Sequence, residues 1–304
     1  MGCRNLFRIW DDRRDYLMAH ISHSQFTTYN DCNLKWKLRY VDKLGTFVGN
    51  IHTLFGTAMH TVIQEYLSVM YNKSIVAAEK LDMESRLKVE MVAEFTKIKE
   101  EKGVLPCNQD EMMEFYQDGL AILEHFRKYR NKYFMKQNWE LVGIEVPILK
   151  NVQEGVEMMG FLDVVLRNKI SGKVVIIDLK TATRGWTDFQ KKDFNKKSQL
   201  LLYKKYYSEL FDVPLDKIDV MFLILKRKIA KNPDFLITRL QKFEPANGVP
   251  SINKVMTKFE EFRKGVFDDK GKYLLERTYA AKPGKVCKFC EFYDTEHCKW
   301  GKIL

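Results

Sequence analysis

Residues 158–182 read MMGFLDVVLRNKISGKVVIIDLKTA and predict a β-hairpin. An apolar run at 161–166 and a β-branched run at 174–177 flank the turn segment NKISG. The centre of the turn falls between Ile170 and Ser171. A tight, symmetric turn about this centre fixes the register in which the two strands pair.

This register places Asp163 opposite Asp178, because the two positions are equidistant from the centre of the turn. Strand alternation puts Lys180 on the same face as Asp178. Two carboxylates and an ammonium group are therefore expected in one patch. The opposite face is expected to carry Leu162, Val164, Val175, Ile177 and Leu179.

Two carboxylates directly opposite each other on neighbouring strands repel, so Asp163 and Asp178 need a compensating cation. A magnesium or manganese ion suits this site, because both metals prefer hard oxygen ligands. Lys180 beside the metal would orient or deprotonate a water molecule, or stabilise charge on a phosphate. The alternative interpretation is an exposed hairpin face that carries ordinary surface charges.

The order of these residues resembles the core of the PD-(D/E)xK nucleases, in particular their RecB-type branch. The pattern consists of Asp163, then Asp178-x-Lys180, then a helix with Gln199-x-x-x-Tyr203. The resemblance implies an α/β, restriction-endonuclease-like fold with a mixed central sheet flanked by helices. The chain departs from the family pattern before the first aspartate, where the sequence Gly-Phe-Leu replaces the usual proline.

The resemblance also implies which residues hold the metal. The segment Gly56-x-x-x-His60 is similar to the first family motif, whose histidine is a metal ligand. His60 would then join Asp163, Asp178 and the backbone carbonyl of Leu179. Glu65 follows this motif, and it is a weaker candidate for a direct part in the site.

Further site residues follow from the same resemblance. Gln199 and Tyr203, one helical turn apart, would shape the active site and contact the DNA strand. Thr181 and Arg184 would contact phosphate, because the segment after the family's catalytic lysine crosses the active site. Glu145, on the strand predicted at 139–149, is a candidate acidic neighbour of the site.

The C-terminal segment has the cysteine spacing of a metal site. Cys287-x2-Cys290 followed by Cys298 offers three thiolates to one ion, which requires a fourth ligand. Two residues qualify, namely the adjacent His297 and the distant Cys32. A zinc ion is one expected occupant.

The resemblance favours a second occupant, an iron-sulfur cluster. In iron-sulfur members of the RecB-type branch, such as AddB, exonuclease V and the CRISPR adaptation nucleases, one cysteine precedes the nuclease core and three follow it. Together they hold a [4Fe-4S] cluster. Cys32, Cys287, Cys290 and Cys298 match this arrangement, with zinc at the same positions and free thiols as alternatives. The two other cysteines, Cys3 and Cys107, are expected to be inert.

Composition points to a folded protein with a polyanionic partner. The chain has 304 residues, 45% of them hydrophobic and 13% aromatic, and a formal net charge of +11. No apolar run approaches the roughly 18 residues of a membrane span. Residues 1–20 are rich in Arg and Asp and do not resemble a secretory leader. A reducing intracellular compartment is expected: the cytoplasm, or the nucleus or mitochondrion of a eukaryote.

The expected organisation is a single nuclease domain, 1–304, with an iron-sulfur cluster that joins its N- and C-terminal regions. An amphipathic helix is predicted at 53–70, and a helical insertion at 71–137 with helices at 75–101 and 109–137. The other predicted segments are a cluster helix at 22–41, a catalytic core at 139–243 with strands at 218–226 and 235–243, and a cluster-binding segment at 283–300.

The resulting hypothesis is a metal-dependent deoxyribonuclease, an exonuclease that acts on DNA ends or single strands in recombination, repair or replication. Two alternatives remain. In the first alternative, the chain is a DNA-binding scaffold without turnover. In the second, it is a nuclease subunit that needs a helicase or recombination protein as partner. No Walker A sequence is present, so ATP-driven translocation is not expected from this chain.

Overall fold

The computed structural model describes residues 18–45, 49–229 and 238–299. The strands are β1 (Ala19–Ser22), β2 (Trp139–Gln153), β3 (Val156–Asn168), β4 (Val174–Ala182), β5 (Ile218–Lys226) and β6 (Leu240–Phe243). The helices are α1 (His23–Asp31), α2 (Asn33–Trp36), α3 (Ile51–Asn72), α4 (Ile75–Glu79), α5 (Met83–Lys102), α6 (Gln109–Tyr129), α7 (Asp188–Lys192), α8 (Phe194–Phe211) and α9 (Val249–Val266).

The strands form one mixed sheet that is organised around the long strand β3. Along one edge, β3 pairs antiparallel with β2. Along the other edge, its first half pairs with the parallel strand β1 and its second half with the antiparallel strand β4. The sheet continues through β5, parallel to β4, and ends at the antiparallel strand β6. The prediction of a mixed central sheet flanked by helices is therefore confirmed.

The predicted hairpin register is also confirmed. The β3–β4 ladder runs from the pair Arg167–Val174 to the pair Val164–Ile177. Its next pair, in the same register, is Asp163 and Asp178. The ladder ends just before this pair, so the two strands diverge where the two aspartates lie.

Helices cover both faces of the sheet. One core contains Phe26 and Trp36 from the N-terminal helices, packed against Phe259 and Phe262 of α9. The other core contains the apolar stripe of α3 with residues of α5 and α6. Both faces of β4 and β5 are buried, which explains their nearly continuous apolar sequences. Among the helices of the described residues, none has both the length and the apolar composition of a membrane span.

The predicted helix at 22–41 is wrong in one respect, because the chain breaks at Cys32. Residues 19–22 are a strand, and Ser22 caps the helix that follows, α1. Cys32 has an extended backbone, with φ −160° and ψ 117°, and its sulfur accepts a hydrogen bond from the backbone N–H of Lys35. Cys32 therefore caps the next helix, α2, which continues into a π-helical turn, Lys37–Val41.

The insertion and the last strand also differ from their predictions. The helix predicted at 75–101 is two helices, since Asp82 caps a new helix through the N–H of Ser85. The helix predicted at 109–137 ends at Tyr129 and is followed by a 3-10 turn. Residues 235–237 of the strand predicted at 235–243 lie outside the described part of the chain, and the strand that is described begins at Leu240.

One residue of the hairpin lies on the face opposite to its prediction. Leu162 packs into the core of α1 and α9, whereas Val164 packs into the core of α3, although strand alternation puts both on one face. Glu145 is opposite Asp163 in the β2–β3 register and has a positive φ of 49°. The alternation of faces along β3 breaks between Leu162 and Val164, next to this irregular position of β2.

Candidate active site

The candidate active site lies where β4 separates from β3. One carboxylate oxygen of Asp163, Oδ2, accepts a hydrogen bond of 2.7 Å from the backbone N–H of Leu179. The backbone N–H of Leu179 on β4 therefore bonds to the side chain of Asp163 on β3, where a regular ladder would supply a backbone carbonyl. The ladder between the two strands therefore ends at the two aspartates.

Lys180 supplies the positive charge next to this pair of acids. Its Nζ lies 2.8 Å from Oδ2 of Asp178, whose side chain is 4% exposed. The contact is an ion pair without the alignment of a hydrogen bond, and Asp178 Oδ2 has no hydrogen-bonding partner of good geometry. A buried carboxylate oxygen with unused acceptor capacity fits the donor set of a hard divalent cation.

Burial and mutual repulsion alter the acidity of these groups. Burial raises the pKa of Asp163 to about 7, with Glu145 adding to the rise and Lys180 opposing it. Burial likewise raises the pKa of Asp178 to about 6, against the opposing charge of Lys180. The pKa of Lys180 is above its ordinary value, because the attraction of Asp178 and Asp163 outweighs the effect of burial. Lys180 is therefore an ammonium at neutral pH.

His60 reaches the same carboxylates from α3. Its Nδ1 lies 3.6 Å from Oδ2 of Asp163. Burial and the charge of Lys180 lower the pKa of His60 to about 4, so the imidazole is neutral at physiological pH. The neutral imidazole is the form that binds metals. Gly56, one turn earlier, lets α3 approach β4, since a Cβ at this position would lie 3.2 Å from Oγ1 of Thr181.

Gln64 belongs to the site, although the sequence analysis did not identify it. It follows His60 by one helical turn and donates from Nε2 to Oε1 of Glu145 at 2.6 Å. The same amide group donates to the backbone carbonyl of Asp163 at 3.2 Å. Gln64 therefore ties the acidic neighbour Glu145 to the strand of the first aspartate. Glu65 points elsewhere and pairs with Arg86 on α5.

No three His, Cys, Asp or Glu side chains within residues 18–45, 49–229 and 238–299 are arranged as a metal site. The expected metal centre is thus a set of nearby ligand atoms rather than a preformed cage. Two of its predicted ligands, Asp163 and Asp178, are close enough to repel each other electrostatically. His60 lies beside the first of them, with Nδ1 3.6 Å from Oδ2 of Asp163.

The sequence profile of the PD-(D/E)XK nuclease superfamily matches residues 20–295. The matched region includes both aspartates, Lys180 and His60. The chain belongs to the PD-(D/E)XK nuclease superfamily. No curated protein matches the chain closely enough to count as a relative. Membership in this superfamily implies a nuclease, a class of hydrolase that typically uses Mg²⁺ or Mn²⁺ and binds DNA.

In this PD-(D/E)XK chain, helix α8 brings Gln199 and Tyr203 to the site. Gln199 Nε2 lies 3.5 Å from the hydroxyl of Tyr203, whose ring covers Gly160 of β3. Burial raises the pKa of Tyr203 to about 12, so its hydroxyl stays protonated. Of the two predicted phosphate contacts, Thr181 is partly buried beside α3 and Arg184 is exposed in the segment after β4.

A hydrogen-bond network behind α8 was also missed by the sequence analysis. The half-buried His23 lies with Nε2 2.9 Å from Oγ of Ser198 and 3.1 Å from the carbonyl of Asn195. A carbonyl only accepts, so Nε2 carries the hydrogen. Asn195 in turn donates to Asp31 at 2.7 Å. The helix before Cys32 therefore holds the first turn of the helix that carries Gln199.

The four predicted cluster cysteines line one pocket. Cys32, Cys287, Cys290 and Cys298 line a cavity of about 20 Å³ whose exposed lining is almost entirely apolar. The sulfur of Cys32 accepts from the backbone N–H of Lys35 at 3.5 Å and of Lys282 at 3.4 Å. Within the described part of the chain, no three of these cysteines are arranged as a metal site. Cys107 does not line this pocket.

Gly160→Ala is expected to lower the nuclease rate roughly 10- to 100-fold, because small displacements of positioning groups are costly. A Cβ at this position would lie 2.6 Å from Cε1 of Tyr203, so the ring must move. Steady-state rates of DNA cleavage measure the effect, and thermal melting checks the fold. Gly248→Ala is the matched control, since its Cβ would meet only Pro250 at 3.8 Å. Equal loss in both variants would show that Tyr203 is not involved.

Proposed function

We propose that this chain is a metal-dependent deoxyribonuclease of the RecB type, an exonuclease that acts on DNA ends or single strands. One observation carries the proposal. The carboxylates of Asp163 and Asp178 lie where two strands separate, with the Lys180 ammonium 2.8 Å from the second carboxylate. An acid pair with an adjacent cation suits phosphodiester hydrolysis, which needs a bound metal and stabilisation of charge on phosphate.

Asp163, Asp178 and the neutral imidazole of His60 are the proposed metal ligands, with the carbonyl of Leu179 as a further one. When bound, a magnesium or manganese ion would polarise the phosphate and acidify a water molecule. The hydrogen bond from Leu179 to Asp163 keeps one carboxylate oriented towards β4. Gln64 restrains the backbone of the same residue, so the first ligand is held at two points.

Lys180 acts in this proposal as a hydrogen-bond donor rather than as a base. Its raised pKa keeps the ammonium protonated at neutral pH, and its side chain is 33% exposed. The group can therefore orient a water molecule or a phosphate oxygen at the open side of the site. Gln199 and Tyr203 would position the DNA strand, and Thr181 and Arg184 would contact its phosphates.

A [4Fe-4S] cluster held by Cys32, Cys287, Cys290 and Cys298 is the second part of the proposal. The shared apolar pocket and the two N–H groups directed at Cys32 support it. Zinc in the same pocket is the alternative. Anaerobic purification followed by iron, sulfide and zinc analysis distinguishes the two metals, and about four irons per chain would support the cluster.

The exonuclease proposal is tested with three labelled substrates and Mg²⁺ or Mn²⁺: linear single strands, linear duplexes and circular single strands. We expect the linear substrates to shorten from an end while the circles stay intact. Cleavage of circles would identify an endonuclease. Cleavage that appears only after a helicase is added would identify a partner-dependent subunit, and DNA binding without cleavage would identify a scaffold.

Metal binding is expected to strengthen with rising pH. The ligands bind as carboxylates, and the pKa values of Asp163 and Asp178 are raised to about 7 and about 6. Both acids are mostly ionised at pH 8, whereas few molecules have both ionised at pH 6. The affinity for Mn²⁺ should therefore be roughly 20-fold higher at pH 8 than at pH 6. Calorimetric titration at the two pH values measures it, and equal affinities would contradict the assignment.

A further inference from the structure

Two phenylalanine rings project from the described surface. Phe189 on α7 is 76% exposed, and Phe289, between Cys287 and Cys290, is 87% exposed. Burial of a phenylalanine ring stabilises a folded chain, so two rings left in water forgo that gain. Exposed aromatic rings on one surface therefore indicate that this surface meets a partner.

The two rings belong to one surface. The Nζ atom of Lys285 lies 5.7 Å from the centroid of the Phe189 ring. Lys285 and Phe289 are the first and last residues of a single 3-10 turn. At a rise of about 2.0 Å per residue, this turn spans about 8 Å. Lys285 therefore connects the two rings, because its ammonium lies against Phe189 and its turn carries Phe289.

This surface is anchored next to the proposed catalytic strand. Trp186, three residues before Phe189, packs its ring 4.9 Å from the ring of Phe222. Phe222 pairs directly with Asp178 across β4 and β5. The backbone N–H and carbonyl of Trp186 are both hydrogen-bonded to the side chain of Gln241. The segment that carries Phe189 is therefore fixed against β5, the strand that pairs with β4.

The surroundings of the two rings favour a polyanion. Two nearby acids are already paired, Asp188 with Lys191 at 3.1 Å and Glu291 with Lys35 at 3.5 Å. Besides these paired groups, residues 188–196 and 282–291 carry one further acid, Asp193, and five lysines: Lys192, Lys196, Lys282, Lys285 and Lys288.

The geometry points to a binding surface for unpaired nucleotides, with Phe189 and Phe289 stacking on bases and the lysines contacting the phosphates. This inference rests on the proposed nuclease function and assigns its substrate, single-stranded DNA that leads to the carboxylates. Exposed aromatic rings stack on unpaired bases of any sequence. A duplex hides the faces of its bases within its own stack, so it offers the rings only its ends.

The test is direct binding of a fluorescent 20-nucleotide oligothymidine and of a blunt duplex, with Ca²⁺ in place of Mg²⁺ to slow cleavage. Phe189→Ala and Phe289→Ala should each weaken single-strand binding about 5- to 100-fold and change duplex binding less than twofold. Phe189→Trp and Phe289→Trp should retain binding, because the indole also stacks. Phe189→Leu and Phe289→Leu should resemble the alanine variants.

Ile170→Ala is the matched control, because Ile170 is 77% exposed in the turn at the opposite end of β4. It should leave both affinities unchanged. Unaltered oligothymidine binding in the double variant Phe189→Ala/Phe289→Ala would overturn the inference, and so would equal losses for the two DNA forms.

Failure of the inference differs from failure of the proposed function. All variants are also assayed with bis(p-nitrophenyl) phosphate, a phosphodiester without bases. If the binding surface is assigned incorrectly and the nuclease function correctly, hydrolysis remains dependent on Asp178. Replacement of the two phenylalanines then leaves the affinity for single strands unchanged. If the nuclease is wrong, neither DNA nor the small diester is hydrolysed in an Asp178-dependent way, and the binding assay still tests the surface by itself.

Discussion

Asp178→Asn is expected to lower the rate of DNA cleavage on the order of 10³-fold or more. The amide removes the charge of a proposed metal ligand, and metal stabilisation of phosphoryl charge is worth several kcal/mol. It also removes the anion that holds the Lys180 ammonium at 2.8 Å. Initial rates on end-labelled DNA with saturating Mg²⁺ or Mn²⁺ measure the effect.

Asp219→Asn is the matched control for this substitution. Asp219 lies on the neighbouring strand β5 and pairs with Lys173 at 2.6 Å, with a side chain that is 39% exposed. An exposed ion pair contributes little, so this variant should cleave DNA at nearly the normal rate. Wild-type rates for Asp178→Asn would contradict the proposed site. Equal loss in both variants would point to general damage to β4 and β5.

The stability of Asp178→Asn separates lost chemistry from lost folding. Burial raises the pKa of Asp178 in the folded protein to about 6, from 3.8 in an ordinary setting. The folded state therefore binds more protons than the unfolded chain, and its stability falls as the pH rises from about 4 through 6. Asparagine has no charge to bury, and Lys180 keeps Asp163 as a partner. The metal-free variant should therefore melt no lower than wild type at pH 8.

The active-site register could be predicted because it depends on a local feature. The turn segment is symmetric, and position 163 is paired with position 178 by arithmetic alone, as the β3–β4 ladder bears out. The contact between Lys180 and Asp178 follows from strand alternation, which puts residues i and i+2 on one face. Short-range periodicity thus determined which charges share the patch.

The separation of the strands could not be predicted, because it depends on contacts between distant segments. Asp163 takes over a backbone hydrogen bond of β4, and Glu145 opposite it adopts a positive φ. At the same point of β3, Leu162 packs into the core of α1 and α9, on the face opposite to Val164. Nothing in the local sequence around Leu162 signals the change.

The supporting residues were missed for the same reason. Gln64 looks like an ordinary polar residue on the border of a helix, and its role appears only when β2 and β3 lie beside it. His23 is separated by 175 residues from Ser198, its partner. The break at Cys32 was hidden because the surrounding apolar residues have helical spacing on both sides of it. Long-range hydrogen bonds have no periodic signature in the sequence.

Cys32→Ala is expected to remove the proposed metal group and to lower the melting temperature by about 10 °C or more. Binding free energy of a structural metal group is also folding free energy, and a few kcal/mol correspond to this shift in a chain of this size. In this structure, the sulfur of Cys32 accepts from Lys282 near the C-terminus at 3.4 Å. Its loss therefore also loosens the connection between the two ends of the described chain.

Three measurements on anaerobically purified protein test this expectation: the visible spectrum, the iron, sulfide and zinc content, and thermal melting. Cys107→Ala is the matched control, since Cys107 is buried among the helices of the insertion and lies apart from the cysteine pocket. It should keep the metal content and melt within a few degrees of wild type. An unchanged metal content and melting curve for Cys32→Ala would refute a shared site. Loss of zinc rather than iron would retain the four ligands and change the metal, because the same thiolates bind either one.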